Sequence, residues 1–198
     1  MPSKSLIRDY DVPAFYHVFN RGAAKQTIFI DSNDKRKFMS LFERHIIPRD
    51  DESEKVYTIY DVKIVAYCLM NNHYHFLFYQ DTDPMAVSNL MKSVTTAYTM
   101  YFNKRYGSSG HLFQGPFRAK RITDESYLAH ISRYIHMNPH NYKTHHWSSL
   151  KYYLGEKSNE LIHPELSHNM SPQQYIKFLE EYENRRAELK DLYKQLKI

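Results

Sequence analysis

The chain has 198 residues, 42% of them hydrophobic and 25% charged, with only 5 glycines; this suits one domain with its own core and excludes a flexible low-complexity chain. The 27 Lys and Arg against 22 Asp and Glu leave a net charge of +5, and 18 Tyr with 11 Phe add many aromatic rings, a balance that fits a nucleic-acid partner without requiring one. The single cysteine, Cys68, excludes an internal disulfide, no apolar run reaches membrane length, and MPSKSLIRDY lacks the apolar core of a signal peptide, so a cytoplasmic location is expected.

FYHVFN, residues 15–20, reads as a first strand closed by Arg21 and Gly22. Asp31, Ser32 and Asn33 then offer caps to a helix whose apolar face is Phe38, Leu41, Phe42, His45 and Ile46, and which Pro48 ends. PRDDESEKVY is a charged, solvated connection. VKIVAYCL and HYHFLFY, separated by Asn71 and Asn72, form a hairpin signal. Asp83 as a cap and Pro84 at the first helical position open a long helix with Val87, Leu90, Met91, Val94, Tyr98 and Tyr101 on one face, up to Gly107. HLFQGPFRAKRI is extended, which puts Arg118 and Lys120 on one face. Thr123 or Asp124 caps a third helix, ESYLAHISRYIHMN, that Pro139 stops. Ser171 and Pro172 open a terminal helix carrying Tyr175, Leu179, Tyr182, Leu189 and Leu196. The order strand, helix, hairpin, helix, extended segment, helix predicts an α+β domain: a ferredoxin-like antiparallel sheet covered by helices, with the last helix added. No Gly-rich phosphate loop supports a nucleotide cofactor.

On the hairpin's second strand His73 and His75 point the same way and Tyr74 the opposite way. The pair suits a metal, and equally suits an ordinary strand end. In RYIHMNP, Tyr134 and Asn138 lie four residues apart, hence on one helix face. An amide oxygen can hold a hard divalent ion and a phenol can attack phosphorus. The plainer account is that Tyr134 packs with Tyr127 and Ile131, while Asn138 merely ends the helix.

YHVFNRG, VAYCLMNNHYHFLFY, NLMKSVTTAYTMYFNKRYGSSGHLFQGPFRAKRI, ESYLAHISRYIHMNP and WSSLKYYLG together resemble, in order, the REP-associated tyrosine transposases of the single-tyrosine HUH superfamily. The resemblance runs over residues 12–155 and implies a ferredoxin-like catalytic domain over residues 1–155, followed by a linker and C-terminal helix over 156–198. It implies metal-dependent cleavage and joining of single-stranded or hairpin DNA at palindromic repeats. Residue by residue, it places the metal-binding histidines on His73 and His75, the third polar ligand on Asn138 and the nucleophile on Tyr134. One departure is the stretch after Pro139, usually a glycine-containing turn and here HNYKTHHW.

The implied reaction is attack by the phenol, leaving a 5′-phosphotyrosine and a free 3′-hydroxyl, with Mg²⁺ or Mn²⁺ as the ion. Arg118, Lys120, Arg121, Lys92, Lys104 and Arg105 are the expected DNA contacts, with exposed tyrosines for base stacking. His111, His130, His136, His145 and His146 show no ligand spacing with the pair and read as structural. The terminal helix either packs on the domain or pairs with a second copy as a homodimer. Two competing readings are a domesticated palindrome-binding protein that does not cut, and a zinc hydrolase, which would need further His, Asp or Glu ligands.

Overall fold

A computed structural model describes residues 11–48, 57–157, 159–183 and 185. Four segments of alternating or continuous apolar pattern become strands: β1 (Ala14–Arg21), β2 (Val62–Met70), β3 (His73–Gln80) and β4 (Arg118–Ile122). They form one sheet in the order β2-β3-β1-β4, every pair antiparallel. Two helices join them, α1 (Ser32–Ile46) between β1 and β2 and α2 (Ala86–Tyr106) between β3 and β4. This connectivity is the ferredoxin-like α+β fold expected from the element order.

Because side chains alternate across a strand, the sheet has two differently furnished faces. Tyr16, Val18, Tyr74, Phe76 and Phe78 pack with Phe38, Phe42, Leu90, Val94 and Tyr98 of α1 and α2. Phe15, Leu77, Ala66 and Ile122 face the other way, toward α3 (Leu128–His136), α4 (Leu150–Tyr153) and α5 (Pro172–Glu180). The terminal helix packs on this second layer, with Tyr175 and Leu179 buried. Among the described residues no helix is long and apolar enough to cross a membrane.

The local signals hold in detail at two helix starts. Asp31 accepts from the Asn33 and Asp34 amides at 2.8 and 3.1 Å, and Asp34 returns the bond to the Asp31 amide. Ser171 and Gln174 form the same reciprocal box on α5. Elsewhere the boundaries move. Asp83 does not cap α2 directly: its Oδ1 accepts from the Met85 amide at 2.8 Å and its carbonyl from Ala86 at 3.1 Å, so Asp83 and Pro84 form a turn before Ala86 starts the helix. Asp124, not Thr123, caps a 3-10 turn at Glu125–Tyr127, and the α-helix begins only at Leu128. In HLFQGPFRAKRI the strand itself is only β4, with one further antiparallel bridge from Phe113 to Gly22. Gly22, which ends β1, is required by space: a Cβ there would collide with the Gln26 carbonyl oxygen.

The stretch after Pro139 covers an exposed sheet edge. Leu69 donates to the Trp147 carbonyl at 2.8 Å, His145 Nε2 meets the Leu69 carbonyl at 3.1 Å, and Cys68 bridges to Ser148, so the outer side of β2 is paired. The acidic cluster of residues 50–54, and Leu189 and Leu196 of the terminal stripe, lie outside the described residues.

Candidate active site

The site lies where the second face of the sheet meets the C-terminal end of α3. Directly opposed antiparallel residues share a face, and the β1–β3 register pairs Phe19 with His75 and Arg21 with His73. The β1–β4 register pairs His17 with Lys120 and Phe19 with Arg118. One surface therefore carries His73, His75, His17, Phe19, Arg21, Arg118 and Lys120.

α3 crosses this surface and delivers Tyr134, while Asn138 comes from the bend just past the helix end, not from the helix itself. The Tyr134 ring stands edge-on to His75 with centroids 5.5 Å apart, and edge-on to His17 at 6.0 Å. Asn138 Oδ1 lies 2.9 Å from His73 Nε2. Tyr134 is half-buried beside the α3 core, so its packing and its approach to the histidines coexist.

Each histidine of the pair is held by its other nitrogen. His73 Nδ1 is 2.7 Å from Asn72 Oδ1, and His75 Nδ1 is 3.0 Å from His17 Nε2. Burial lowers the pKa of both rings, which favours neutral imidazoles at neutral pH. Both His73 nitrogens face amide oxygens, so either can carry the proton; in the tautomer that suits a metal, Nδ1 donates to Asn72, and His75 can give its own Nδ1 proton to His17. Both Nε2 lone pairs are then available, and a ligand imidazole is oriented in this way by an outer partner. His73 Nε2 and Asn138 Oδ1 would thus be two facing lone-pair donors. The donor set of two neutral imidazoles and one amide oxygen fits a divalent ion of hard to intermediate character. Among the described residues no group of three His, Cys, Asp or Glu side chains could hold a metal.

Burial raises the Tyr134 pKa above the usual phenol value, and its hydrogen bond with Asn138 pulls the other way. Burial also holds His17 neutral, lowered to about 3, with the Lys120 ammonium adding to the effect. His17, together with Arg21 opposite His73, is a site residue that the sequence does not single out. Its signal was faint: a polar ring inside the otherwise apolar alternation of β1, with no partner until the register is known.

The expected cationic contacts divide in space. Arg118 and Lys120 flank the histidines. Arg121 points to the other side of β4 and pairs with Asp11. Lys92, Lys104 and Arg105 ride on α2, which covers the opposite face of the sheet. Arg105 is engaged there, 2.7 Å from the buried Asp34 and 2.6 Å from Asp31. His136 joins Tyr175 and Ser149 at 2.8 and 2.7 Å in the core, and His130 meets the Arg133 guanidinium at 2.6 Å.

The family model described as Transposase IS200 like matches residues 16–138, from Tyr16 in β1 through Asn138. Among solved structures, that of a REP-associated tyrosine transposase bound to a REP hairpin matches with a TM-score of 0.57 at 11% sequence identity, covering 85% of this chain and 99% of that chain. That likeness shows a shared fold. No curated protein matches the chain.

Proposed function

The chain belongs to the IS200-like transposase family, and from that premise we propose that it cleaves and rejoins single-stranded or hairpin DNA through a 5′-phosphotyrosine on Tyr134. The observation that carries this reading is the convergence of α3 and the bend that follows it on β3: the Tyr134 ring 5.5 Å from His75, and Asn138 Oδ1 2.9 Å from His73. His73, His75 and Asn138 would hold a divalent metal, Mn²⁺ or Mg²⁺. When bound it supplies positive charge to the non-bridging oxygens of the scissile phosphate and orients that group.

The chain's own residues do the rest. Tyr134 Oη gives up its proton to water and attacks phosphorus, forming the oxygen–phosphorus bond of the phosphotyrosine while the bond to the 3′-oxygen breaks, and that oxygen leaves as a 3′-hydroxyl on taking up a proton from water. Asn138, two residues past the end of α3, holds the phenol, and Lys120, Arg118 and Arg21 line the sheet surface beside the histidines, where a DNA backbone would lie. Attack by a 3′-hydroxyl on the phosphotyrosine reverses the sequence and rejoins strands with no external energy source. Residues 1–155 carry this chemistry. α5 docks against the α3 layer, with its Tyr175 and Leu179 buried among the α3 residues.

The test is a Tyr134→Phe variant incubated with Mn²⁺ and single-stranded hairpins taken from beside the protein's own gene. It should keep hairpin binding within about twofold and lose the denaturant-resistant protein–DNA adduct; a normal adduct yield in the variant would falsify the assignment. A wild-type chain that binds the hairpin and nicks it under no divalent ion would establish the binding-only reading instead.

A further inference from the structure

Next to the metal-ligand candidates, and not used by the mechanism, is a groove of about 600 Å³. It shares walls with the site: Asn72 and Pro139, the chain neighbours of His73 and Asn138, line it. Both sides are tied to the framework. The Asn71 carbonyl accepts from the Ile28 and Phe29 amides at 2.8 and 3.0 Å, the Asn72 carbonyl from Gly22 at 2.9 Å, and the Trp147 carbonyl from Leu69 at 2.8 Å. The groove is therefore preformed.

Its contents are chemically specific. Lys35 reaches in from α1, its side chain mostly buried, with Nζ 3.0 Å from Asn71 Oδ1 and 5.9 Å from the centre of the Trp147 ring. Among the described residues no Asp or Glu lines the groove, so no described carboxylate faces this ammonium there, and burial depresses its pKa. An anion entering there would supply the missing counter-charge. Trp147 offers an aromatic surface, and Asn71, Asn141 and His145 offer amide and imidazole edges.

We propose that this groove binds one unpaired nucleotide of the DNA strand adjoining the scissile phosphate, with Lys35 on its phosphate and Trp147 stacked on its base. The proposal rests on the DNA-processing reading above and specifies the single-stranded part of its substrate. A phosphate-seeking cation beside a stacking ring is how unpaired strands are held, and the shared walls put that nucleotide within one or two residues of the ligand set.

Trp147 is the chain's single tryptophan, so its fluorescence reports the groove directly. The full chain, without divalent metal, is titrated with a hairpin carrying single-stranded flanks, with the same hairpin made flush, and with deoxynucleoside monophosphates. The flanked hairpin should quench the emission and the flush one leave it unchanged. Lys35→Gln, which keeps a donor for Asn71, should weaken the flanked hairpin about tenfold and the flush hairpin not at all. Lys35→Arg should recover most of the loss.

Unchanged emission together with undiminished Lys35→Gln affinity for the flanked hairpin would overturn the proposal, even if Tyr134 still forms its adduct. Conversely, quenching and Lys35 dependence without any adduct would uphold the groove while the cleavage reading fails. Monophosphates that quench at the concentrations where the flanked hairpin does would assign the groove to a free nucleotide, and overturn the strand assignment.

Discussion

Asn138 is the one donor of the proposed metal set that is not an imidazole, and it stands 2.9 Å from His73 Nε2. Removing its amide in Asn138→Ala should weaken Mn²⁺ binding by roughly 10- to 100-fold, the range seen when a metal site loses a supporting group, with circular dichroism unchanged. Isothermal calorimetry checks this without reference to cleavage, and wild-type Mn²⁺ affinity in the variant would remove Asn138 from the set. The groupings of His73 with His75 and of Tyr134 with Asn138 are local and visible in the sequence, where spacing alone left an ordinary strand end and helix end open and the family resemblance singled the four out. His17 was not readable, because its partner His75 is 58 residues away. Only strand pairing brings the two rings together.

At the scale of elements, the placement of α3 over the sheet depends on a hydrogen-bonded chain running through three of them. Tyr175 Oη on α5 lies 2.9 Å from Ser132 Oγ and 2.8 Å from His136 Nδ1, both on α3. His136 Nε2 in turn lies 2.7 Å from Ser149 Oγ, which accepts from the Tyr67 amide of β2 at 2.8 Å. All these groups are buried, so Tyr175→Phe leaves unsatisfied polar atoms as well as losing bonds. It should cost about 1–3 kcal/mol in urea unfolding. A change below about 0.5 kcal/mol would mean that water replaces the hydroxyl. Periodicity and caps placed α3 and α5 in the chain, yet the 3-10 turn ahead of Leu128 and the turn at Asp83 and Pro84 escaped that reading. Asp124 and Asp83 can each accept from an amide two residues on, and choosing between a turn and a helix cap takes the surrounding backbone.

Over the whole molecule, the two faces of the sheet assign different work to cations that look alike in the sequence. Arg118, exposed beside the site, should lower the salt dependence of hairpin binding by about one unit of slope when changed to Ala. Arg105→Ala should leave that slope largely intact and instead lower stability, because Asp34 would stay buried without its guanidinium partner. Binding measured across a salt series separates the two, and equal slope losses would put α2 in the DNA contact. Burial also sets an acid limit. His17 and His136 are both lowered to about 3 from 6.5. Below pH 6.5 the unfolded chain therefore takes up protons that the native state resists. Stability should be complete above pH 6.5 and fall as the pH drops toward about 3, at up to about 1.4 kcal/mol per pH unit for each residue. Urea midpoints at pH 7.5 and pH 5 check the sign, and a midpoint that does not fall on acidification would contradict the buried neutral state of these rings.

What the sequence determined by itself was whatever repeats at short range. Apolar period and cap residues laid out the helices and strands, their order implied the ferredoxin-like sheet, and the H-x-H and Tyr-x3-Asn spacings offered candidate groups that the family resemblance singled out. What the tertiary structure alone decided was juxtaposition: Tyr134 beside His75, His17 behind it, Lys35 turned into the groove under Trp147, and Arg105 bound to Asp34 and away from the site. Short spacings determine which side chains share a face, because helix and strand repeats are fixed by backbone sterics. Which faces meet depends on register and packing between segments far apart in the chain, and no local period encodes that.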